Sequence, residues 1–290
     1  MAKLRAEAVA GAARAWLAAA RPARVLNVFD RACNLVADDG AVLALVTAAR
    51  GLTPFGVVVE PGEPPPFAGV DAASPVSVAA DALRVGPLAV ELRGAAAWDA
   101  RPNWAAVVAA LKSHPQRPAA LAVAGLEAAP RDSLLCLWHQ VEPATPLLAR
   151  VRPAAQNLIA GLQSGDWARS EQGVLKLAGL GGGLTPAGDD FVLGVMLAAH
   201  AGAFGLVAAQ HCLALAEALA PRTNTLSAAY VHAAARGECA AYWHDQLAAL
   251  SNPAADLSGP ARALVSVGHT SGADALAGFL ASFERAAGLQ

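Results

Sequence analysis

The spacing of apolar residues changes near Asn103, and this change constrains the fold more than any other feature of the chain. Before it, short apolar runs alternate with turn signals such as Asp38-Asp39-Gly40, a pattern typical of strands and hairpins. Beyond it, apolar residues recur at helical spacing. The sequence therefore predicts an α+β protein, with an N-terminal β-rich domain, antiparallel or barrel-like, and a C-terminal α-helical bundle domain. The predicted strands cover residues 24–29, 33–36, 41–46, 55–60, 76–85 and 88–92.

Two proline-bearing stretches, residues 113–118 and 142–153, interrupt the helical half. We place the domain boundary in the second stretch, which predicts a β-rich domain over residues 1–150 and a helical domain over residues 151–290. Residues 1–20 predict an amphipathic first helix rather than a signal segment. The helices predicted beyond the boundary cover residues 154–162, 167–177, 186–199, 205–219, 225–235, 239–250, 260–267 and 273–286.

Composition excludes several classes of protein. The chain is 56% hydrophobic with a mean hydropathy of +0.41, and residues 191–216 contain no Asp, Glu, Lys or Arg. That run is rich in Ala and Gly, carries His200 and His211, and is broken at residues 201–205, so it predicts two buried helices rather than a membrane span. A net charge of −2 with scattered Lys and Arg excludes nucleic acid as a partner. Four widely spaced cysteines favour reduced thiols in a cytoplasmic protein.

A glycine-rich segment, residues 179–190, reads GLGGGLTPAGDD and runs directly into an apolar helix. Glycine amides at a helix start, together with the positive end of the helix dipole, favour a small anion. Two carboxylates beside an anion are explained if a divalent cation bridges them to it, if they orient an amide or ammonium group, or if one is a general base. Acidic residues in a first helical turn also stabilise the helix dipole with no ligand at all.

Two further segments place polar side chains at helix starts. Residues 222–227 read RTNTLS, where capping needs only one of the side chains. Residues 268–274 read GHTSGAD and share the pattern G-x-T-x-x-x-D with residues 183–189, so two similar loops could face one another, although common loop-to-helix starts also give such matches. Adjacent residues seldom form a catalytic triad, and we therefore interpret the second segment as a ligand-binding loop. The other histidines show no metal-ligand spacing.

Three motifs occur in a fixed order along the chain: G-x-G-L-T-P-x-G-D-D-F from Gly181, T-x-x-x-S from Thr223 and G-H-x-S-G-x-D from Gly268. Together with residues 28–35 and 54–56, they resemble the AllH-like family over nearly the whole chain. One departure is Ala187, where the family pattern has Ser. The resemblance implies a subunit of an oxamate carbamoyltransferase, which passes a carbamoyl group between oxalurate and phosphate in the breakdown of allantoin and purines. It also implies partner protein subunits.

The motifs and the resemblance together give a set of candidate site residues. We predict catalytic roles for Asp189, Asp190 and His269. The two aspartates are also candidate ligands of Mg²⁺, and no organic cofactor is expected. The expected ligand is a small anionic metabolite, namely phosphate, carbamoyl phosphate, oxamate or oxalurate. The predicted substrate-binding residues are Gly181, Gly182, Gly183, Thr185, Gly188, Thr223, Asn224, Ser227, Thr270, Ser271 and Asp274.

Two alternatives to a carbamoyltransferase subunit stay open at this point. The chain could be a non-catalytic assembly subunit, whose apolar surfaces bind its partners. It could also be a stand-alone Mg²⁺-dependent enzyme acting on a small amide or carboxylate. Ligand binding by the isolated chain is expected of a carbamoyltransferase subunit and of a stand-alone enzyme, but not of an assembly subunit.

Overall fold

The computed structural model describes residues 2–60, 65–79, 81–139 and 145–284. The chain divides into two compact units, residues 1–100 and 101–290. The first unit contains a nearly closed β-sheet and the second is helical, which confirms the predicted α+β class.

Nine strands form one sheet among the described residues of the first unit. The strand order is β2-β3-β4-β5-β1-β8-β7-β6, with β9 also paired to β1. Most neighbours are antiparallel, but β1 runs parallel to β8 and β9, and β4 runs parallel to β5. The end strands β2 and β6 contact each other, which leaves the sheet nearly closed. The strands are β1 (Ala2–Ala10), β2 (Ala23–Phe29), β3 (Ala32–Ala37), β4 (Val42–Thr47), β5 (Gly56–Val59), β6 (Val76–Ala79), β7 (Ala82–Val85), β8 (Leu88–Glu91) and β9 (Ala96–Trp98).

The first 20 residues correct one prediction from the sequence. We predicted a single amphipathic helix, whereas the structure has strand β1 followed by helix α1 (Gly11–Ala19). In β1, Leu4 and Ala6 are buried while Lys3, Arg5 and Glu7 are exposed. This alternation is the two-residue period of a half-buried strand. Pairing on both edges of β1 therefore outweighs the helix propensity of its alanines.

The sheet and α1 enclose the core of the first unit. Leu35, Leu43, Leu45 and Val57 are fully buried in this core. Helix α1 contributes Trp16, whose indole Nε1 donates to the carbonyl oxygen of Ala41 at 3.0 Å. Buried Tyr and Trp side chains ordinarily find such a partner, and here it fixes α1 against the end of the β3–β4 hairpin.

The second unit contains eleven α-helices among its described residues and one 3₁₀ turn (Ala220–Arg222). Helix α6 occupies the predicted residues 167–177 and α9 the predicted residues 225–235. The other helices predicted beyond residue 151 begin and end within two residues of their predictions, apart from α5, which is longer, and α12, which ends at Ala281. The last prediction extended to residue 286, of which residues 285 and 286 lie outside the described residues. The helices are α2 (Trp104–Ser113), α3 (Arg117–Ala128), α4 (Leu134–Trp138), α5 (Pro146–Ser164), α6 (Trp167–Leu177), α7 (Ala187–His200), α8 (Leu206–Leu219), α9 (Thr225–Ala235), α10 (Ala241–Ser251), α11 (Ser258–Val265) and α12 (Ser271–Ala281).

The boundary between the two units lies 50 positions before the predicted one at residues 150/151, which falls inside α5. The reason is that α3 and α4 belong to the core of the helical unit. Leu121, Leu134 and Leu135 are fully buried in the same cluster as Phe191 of α7. Pro153 also lies inside α5 and does not end that helix. The earlier part of the proline-bearing stretch, residues 142–144, lies outside the described residues.

The apolar run that follows the glycine-rich segment forms two helices, α7 and α8, separated at residues 201–205 as predicted. Among the described residues, no helix is both long and apolar enough to cross a membrane. All four cysteines are buried free thiols.

Helices α7 and α12 cross in backbone contact. A Cβ added at Gly194 would lie 2.7 Å from the backbone nitrogen of Phe279 and still closer to the carbonyl oxygen of Ala275. A Cβ added at Gly278 would likewise overlap the carbonyl oxygen of Phe191. Only glycine permits so close an approach, and the contact brings the first turns of the two helices side by side.

Candidate functional site

The starts of α7 and α12 meet through their hydroxyl groups. Thr185 Oγ1 and Ser271 Oγ lie 2.8 Å apart and share a hydrogen bond in which either atom can be the donor. Both residues are half-buried, and the loops before them, residues 181–184 and 268–269, are exposed. The two loops that share a sequence pattern therefore contact one another.

The structure aligns the two helix starts one position away from the alignment that the shared sequence pattern predicts. That pattern aligns Asp189 with Asp274. In the structure, Gly194 lies against the Ala275 carbonyl oxygen and Gly278 lies against the Phe191 carbonyl oxygen. These reciprocal contacts make Gly194 equivalent to Gly278, and Asp190 equivalent to Asp274. Both helices then read G-x-D-x-x-x-G, from Gly188 and from Gly272. The first glycine of each lies against a carbonyl oxygen of the preceding helix, Leu177 of α6 or Leu264 of α11. The equivalence follows from close backbone packing rather than from the threonines.

The glycine-rich loop has two kinds of glycine. Gly181 and Gly183 adopt φ values of 117° and 91°, which an L side chain rarely adopts, and both are exposed. Gly182 is exposed with open space at its Cβ position. Gly188 is instead buried against α6, so its small size serves helix packing. Gly181, Gly182 and Gly183 are thus the glycines that a ligand could reach from solvent.

Asp189 is an internal hydrogen-bond acceptor. Its side chain is 1% exposed. Oδ1 accepts from the Gly179 N–H at 2.8 Å, and Oδ2 accepts from Ser227 Oγ at 2.7 Å and from Thr223 Oγ1. These three bonds connect the glycine-rich loop to the start of α9. Thr223 and Ser227, predicted to bind substrate, are placed beside Asp189 and donate to it.

Asn224 connects the same two segments from outside. Its Oδ1 accepts the Ser227 N–H at 3.0 Å and so caps α9. Its Nδ2 donates to the Leu184 carbonyl oxygen at 2.9 Å. The predicted substrate-binding amide is therefore used to hold the loop that precedes α7.

Replacing Asn224 with alanine is expected to lower the free energy of unfolding by about 2 kcal/mol, because it removes both a helix cap and the bond to Leu184. The matched control is Asn103→Ala, which removes the cap of α2, where Oδ1 accepts from the Ala106 N–H. Its cost should be about 1 kcal/mol. If urea unfolding shows that the two variants lose the same free energy of unfolding, the bond to Leu184 does not hold the loop.

Asp190 lies in a different environment from Asp189. Its side chain is 7% exposed, and Oδ2 is buried without a hydrogen-bond partner among the described residues. Burial, and then the nearby Asp274 carboxyl, raise the pKa of Asp190 well above its usual value, while the hydroxyls of Ser271 and Thr185 lower it in part. Among the described residues, Asp190 is the only acid with a buried side-chain oxygen that has no hydrogen-bond partner.

Asp274 is the equivalent acid on α12. Its Oδ1 accepts the Leu134 N–H at 2.6 Å. Burial raises the pKa of Asp274 to about 6, partly offset by the bonds from Leu134 and Thr270. Thr270, predicted to bind substrate, is thus placed next to Asp274.

Residues 130–134 form part of this region although we did not predict them. Besides the Leu134 bond, Asp132 Oδ2 lies 3.0 Å from His269 Nε2, and both side chains are largely exposed. The partners are separated by 137 positions in the sequence, so no local pattern could have revealed the pair. His269, predicted as catalytic, is placed with Asp132 on the surface.

A magnesium ion between Asp189 and Asp190 is not favoured by this geometry. Both oxygens of Asp189 already accept hydrogen bonds, and Mg²⁺ requires free oxygen ligands in octahedral geometry. Within the described ranges, no group of three or more His, Cys, Asp or Glu residues is arranged to hold a metal ion. The ion stays a prediction.

The fold and the site together define a class of α+β protein with a nearly closed N-terminal sheet and a helical unit that gathers buried acids and hydroxyls at two crossing helices. Family comparison agrees with this two-part organisation. A family model described as oxamate carbamoyltransferase subunit AllH matches residues 177–283, and one described as the AllH family N-terminal domain matches residues 5–97. Together they cover more than half of the chain, which therefore belongs to the AllH family. No solved structure gives a significant match.

Proposed function

We propose that this subunit of an oxamate carbamoyltransferase binds a small anionic metabolite at the paired starts of α7 and α12. In this proposal the enzyme moves a carbamoyl group between oxalurate and phosphate, in the breakdown of allantoin and purine nitrogen. The observation that carries the proposal is the buried, unpartnered Oδ2 of Asp190 beside the hydroxyl pair of Thr185 and Ser271. A polar group in that position calls for a partner that the described part of the chain does not provide.

The electrostatics of the two helix starts support an anion. Each helix presents the positive end of its dipole to the same region, since α7 and α12 meet at their first turns. The exposed amides at Gly181, Gly182 and Gly183 would add donors on one side. Asp189 does not oppose the anion directly, because its carboxylate is enclosed by its own three donors.

The reaction needs donors where negative charge develops. When a phosphate oxygen attacks the carbamoyl carbon of oxalurate, charge gathers on the carbamoyl oxygen. The bond from that carbon to the oxamate nitrogen then breaks, and the nitrogen takes up a proton. Donors placed to receive the carbamoyl oxygen lower the barrier to this step. In our proposal the glycine amides and Thr185 are those donors, while Ser271 contacts the ligand from α12.

Ligand binding by the full chain tests the proposal. We expect phosphate, carbamoyl phosphate, oxamate or oxalurate to raise the unfolding temperature, because a ligand that binds only the folded state stabilises it. Each ligand should be measured with and without Mg²⁺. Replacing Ser271 with alanine should weaken binding about tenfold, the value of one hydrogen bond to a charged group.

The matched control for that variant is Ser266→Ala, five positions earlier. Ser266 is exposed, and its hydroxyl donates to the Ala263 carbonyl oxygen at the end of α11, so its loss should leave binding unchanged. Equal binding by Ser271→Ala and the wild-type chain would contradict a ligand at this position.

A purely structural role in assembly is the second candidate function. Helix α8 exposes Leu206, Val207 and Leu213, and Leu206 is 85% exposed. Exposed apolar residues grouped on one helix are typical of a contact with another protein. If none of the ligands stabilises the chain while it still associates with partner subunits, the assembly function is favoured. Turnover by the chain alone with Mg²⁺ would instead favour a stand-alone enzyme.

A further inference from the structure

The three buried acids at the helix starts have unequal supplies of hydrogen-bond donors. Asp189 accepts three bonds, one of them from a backbone N–H. Asp274 accepts the backbone N–H of Leu134. Asp190 has hydrogen bonds to the hydroxyls of Thr185 and Ser271, and its Oδ2 accepts from no described group. A hydroxyl can accept as well as donate, so neither neighbour requires Asp190 to be ionised.

The same inequality decides which acid holds a proton. A buried charge without donors is costly, and it is more costly beside another carboxylate. The charged groups that act on Asp190 are Asp274 from α12 and Asp189 from its own helix, and Asp132 and His269 act in turn on Asp274. Two of the three acids are stabilised as acceptors, and Asp190 is the one left to be neutral.

A proton on Oδ2 would have no acceptor within the described protein. The half-buried hydroxyls of Thr185 and Ser271 are hydrogen-bonded to each other beside this carboxyl, and both residues lie close in sequence to the exposed loops. Oδ2 can gain an acceptor only from a group outside the described protein, and a ligand at the paired helix starts is such a group. The acceptor that completes the site therefore comes from the ligand.

We propose that Asp190 is the ligand-contacting acid of this site and that its protonated Oδ2 donates a hydrogen bond to an oxygen of the bound anion. This inference rests on the proposed function and adds its recognition chemistry. The shared chemistry of the ligands is an anionic oxygen, from either a carboxylate or a phosphate. A neutral donor explains how an aspartate can lie at an anion site without repelling its ligand.

Calorimetric titration of the full chain with oxamate and with inorganic phosphate tests the inference, from mildly acidic to mildly alkaline pH. The protonated form of Asp190 is lost as the pH rises through its raised pKa, so the wild-type affinity should fall about tenfold once the pH has passed that value. Oxamate does not titrate in this range whereas phosphate does, so the oxamate titration reports protein groups alone. Asp274, whose pKa is about 6, titrates in the same range, and the Asp190 variants separate its contribution from that of Asp190. Stronger binding of one anion identifies the source of the oxygen.

Three variants complete the design. Asp190→Asn keeps a donor that does not titrate, so it should bind as the wild type does at acidic pH and lose the part of the pH dependence that comes from Asp190. Asp190→Ala removes the donor and should bind about tenfold more weakly at acidic pH. Asp245→Asn makes the same chemical change at an exposed position on α10 and should behave as the wild type.

A second measurement does not depend on any ligand. The wild-type chain should show the infrared carbonyl band of a buried protonated carboxylic acid, and Asp190→Asn should lack it. The inference is overturned if Asp190→Asn binds as weakly as Asp190→Ala at acidic pH, if the affinities of the wild type and of Asp190→Asn fall equally with pH, or if the band is absent. Lack of any binding by the wild type overturns the proposed function itself, a result distinct from these.

Discussion

Replacing Gly194 with alanine is expected to lower the free energy of unfolding by about 3 kcal/mol or more. The added methyl group would lie 2.7 Å from the backbone nitrogen of Phe279 and far inside the van der Waals contact distance to the Ala275 carbonyl oxygen. Both atoms belong to the backbone of α12, which cannot move aside as a flexible side chain does. The helices would have to separate along a contact that includes the fully buried Phe191 and Phe279. Urea unfolding followed by circular dichroism measures the loss.

Gly259→Ala is the matched control for this variant. Gly259 also lies in a helix, α11, but a Cβ added there meets no atom within 4 Å. Alanine should leave the stability unchanged or raise it by about 0.4–1 kcal/mol, through the smaller entropy of the unfolded chain. The close crossing is refuted if Gly194→Ala unfolds at the same urea concentration as Gly259→Ala.

Replacing Asp189 with alanine is expected to destabilise the helical unit by about 3–5 kcal/mol, because three buried donors lose their acceptor together. These donors are the Gly179 N–H and the hydroxyls of Thr223 and Ser227. Loss of the acceptor also separates the glycine-rich loop from α9. The measurement is again urea unfolding, together with limited proteolysis of the loop.

Asp245→Ala is the control for an aspartate without this role. Asp245 is exposed on α10, and its replacement should change the stability by no more than about 0.5 kcal/mol. Equal stability of the Asp189 and Asp245 variants would show that the three bonds are unimportant. If the expected loss is found, reduced turnover in an Asp189 variant reports a damaged loop, and a chemical role can be assigned only after folding has been measured.

Local sequence signals predicted much of the fold. Helices α6 and α9 begin directly after Asp166 and Asn224, whose side chains accept from backbone N–H groups as N-caps do, and their predicted bounds agree with the structure. Strand β1 was missed because alanine dominates its composition. The alternation of Lys3, Arg5 and Glu7 was the available signal, and it becomes decisive only when the paired strands β5 and β8 are known.

The site was predictable as a set of segments but not as a set of contacts. The motifs indicated the loops before α7, α9 and α12, and the structure brings these loops together. They could not show that Asp189 and Asp190, adjacent in sequence, point to different partners. Adjacent residues of an α-helix differ by about 100° of rotation, so the two side chains leave the helix in different directions. Only the neighbouring helices decide which acid receives donors. Asp132 and Leu134 were missed because their partners lie 137 and 140 positions away.

The glycine contact between α7 and α12 has a consequence for how the ligand range of such proteins can change. Gly194 and Gly278 each lie one helical turn after an acid, Asp190 and Asp274 respectively. With backbone against backbone at this level, no side chain there can widen or narrow the gap between the two acids. Relatives that keep both glycines should therefore accommodate bulkier or smaller metabolites only through changes in the exposed loops at residues 181–184 and 268–269.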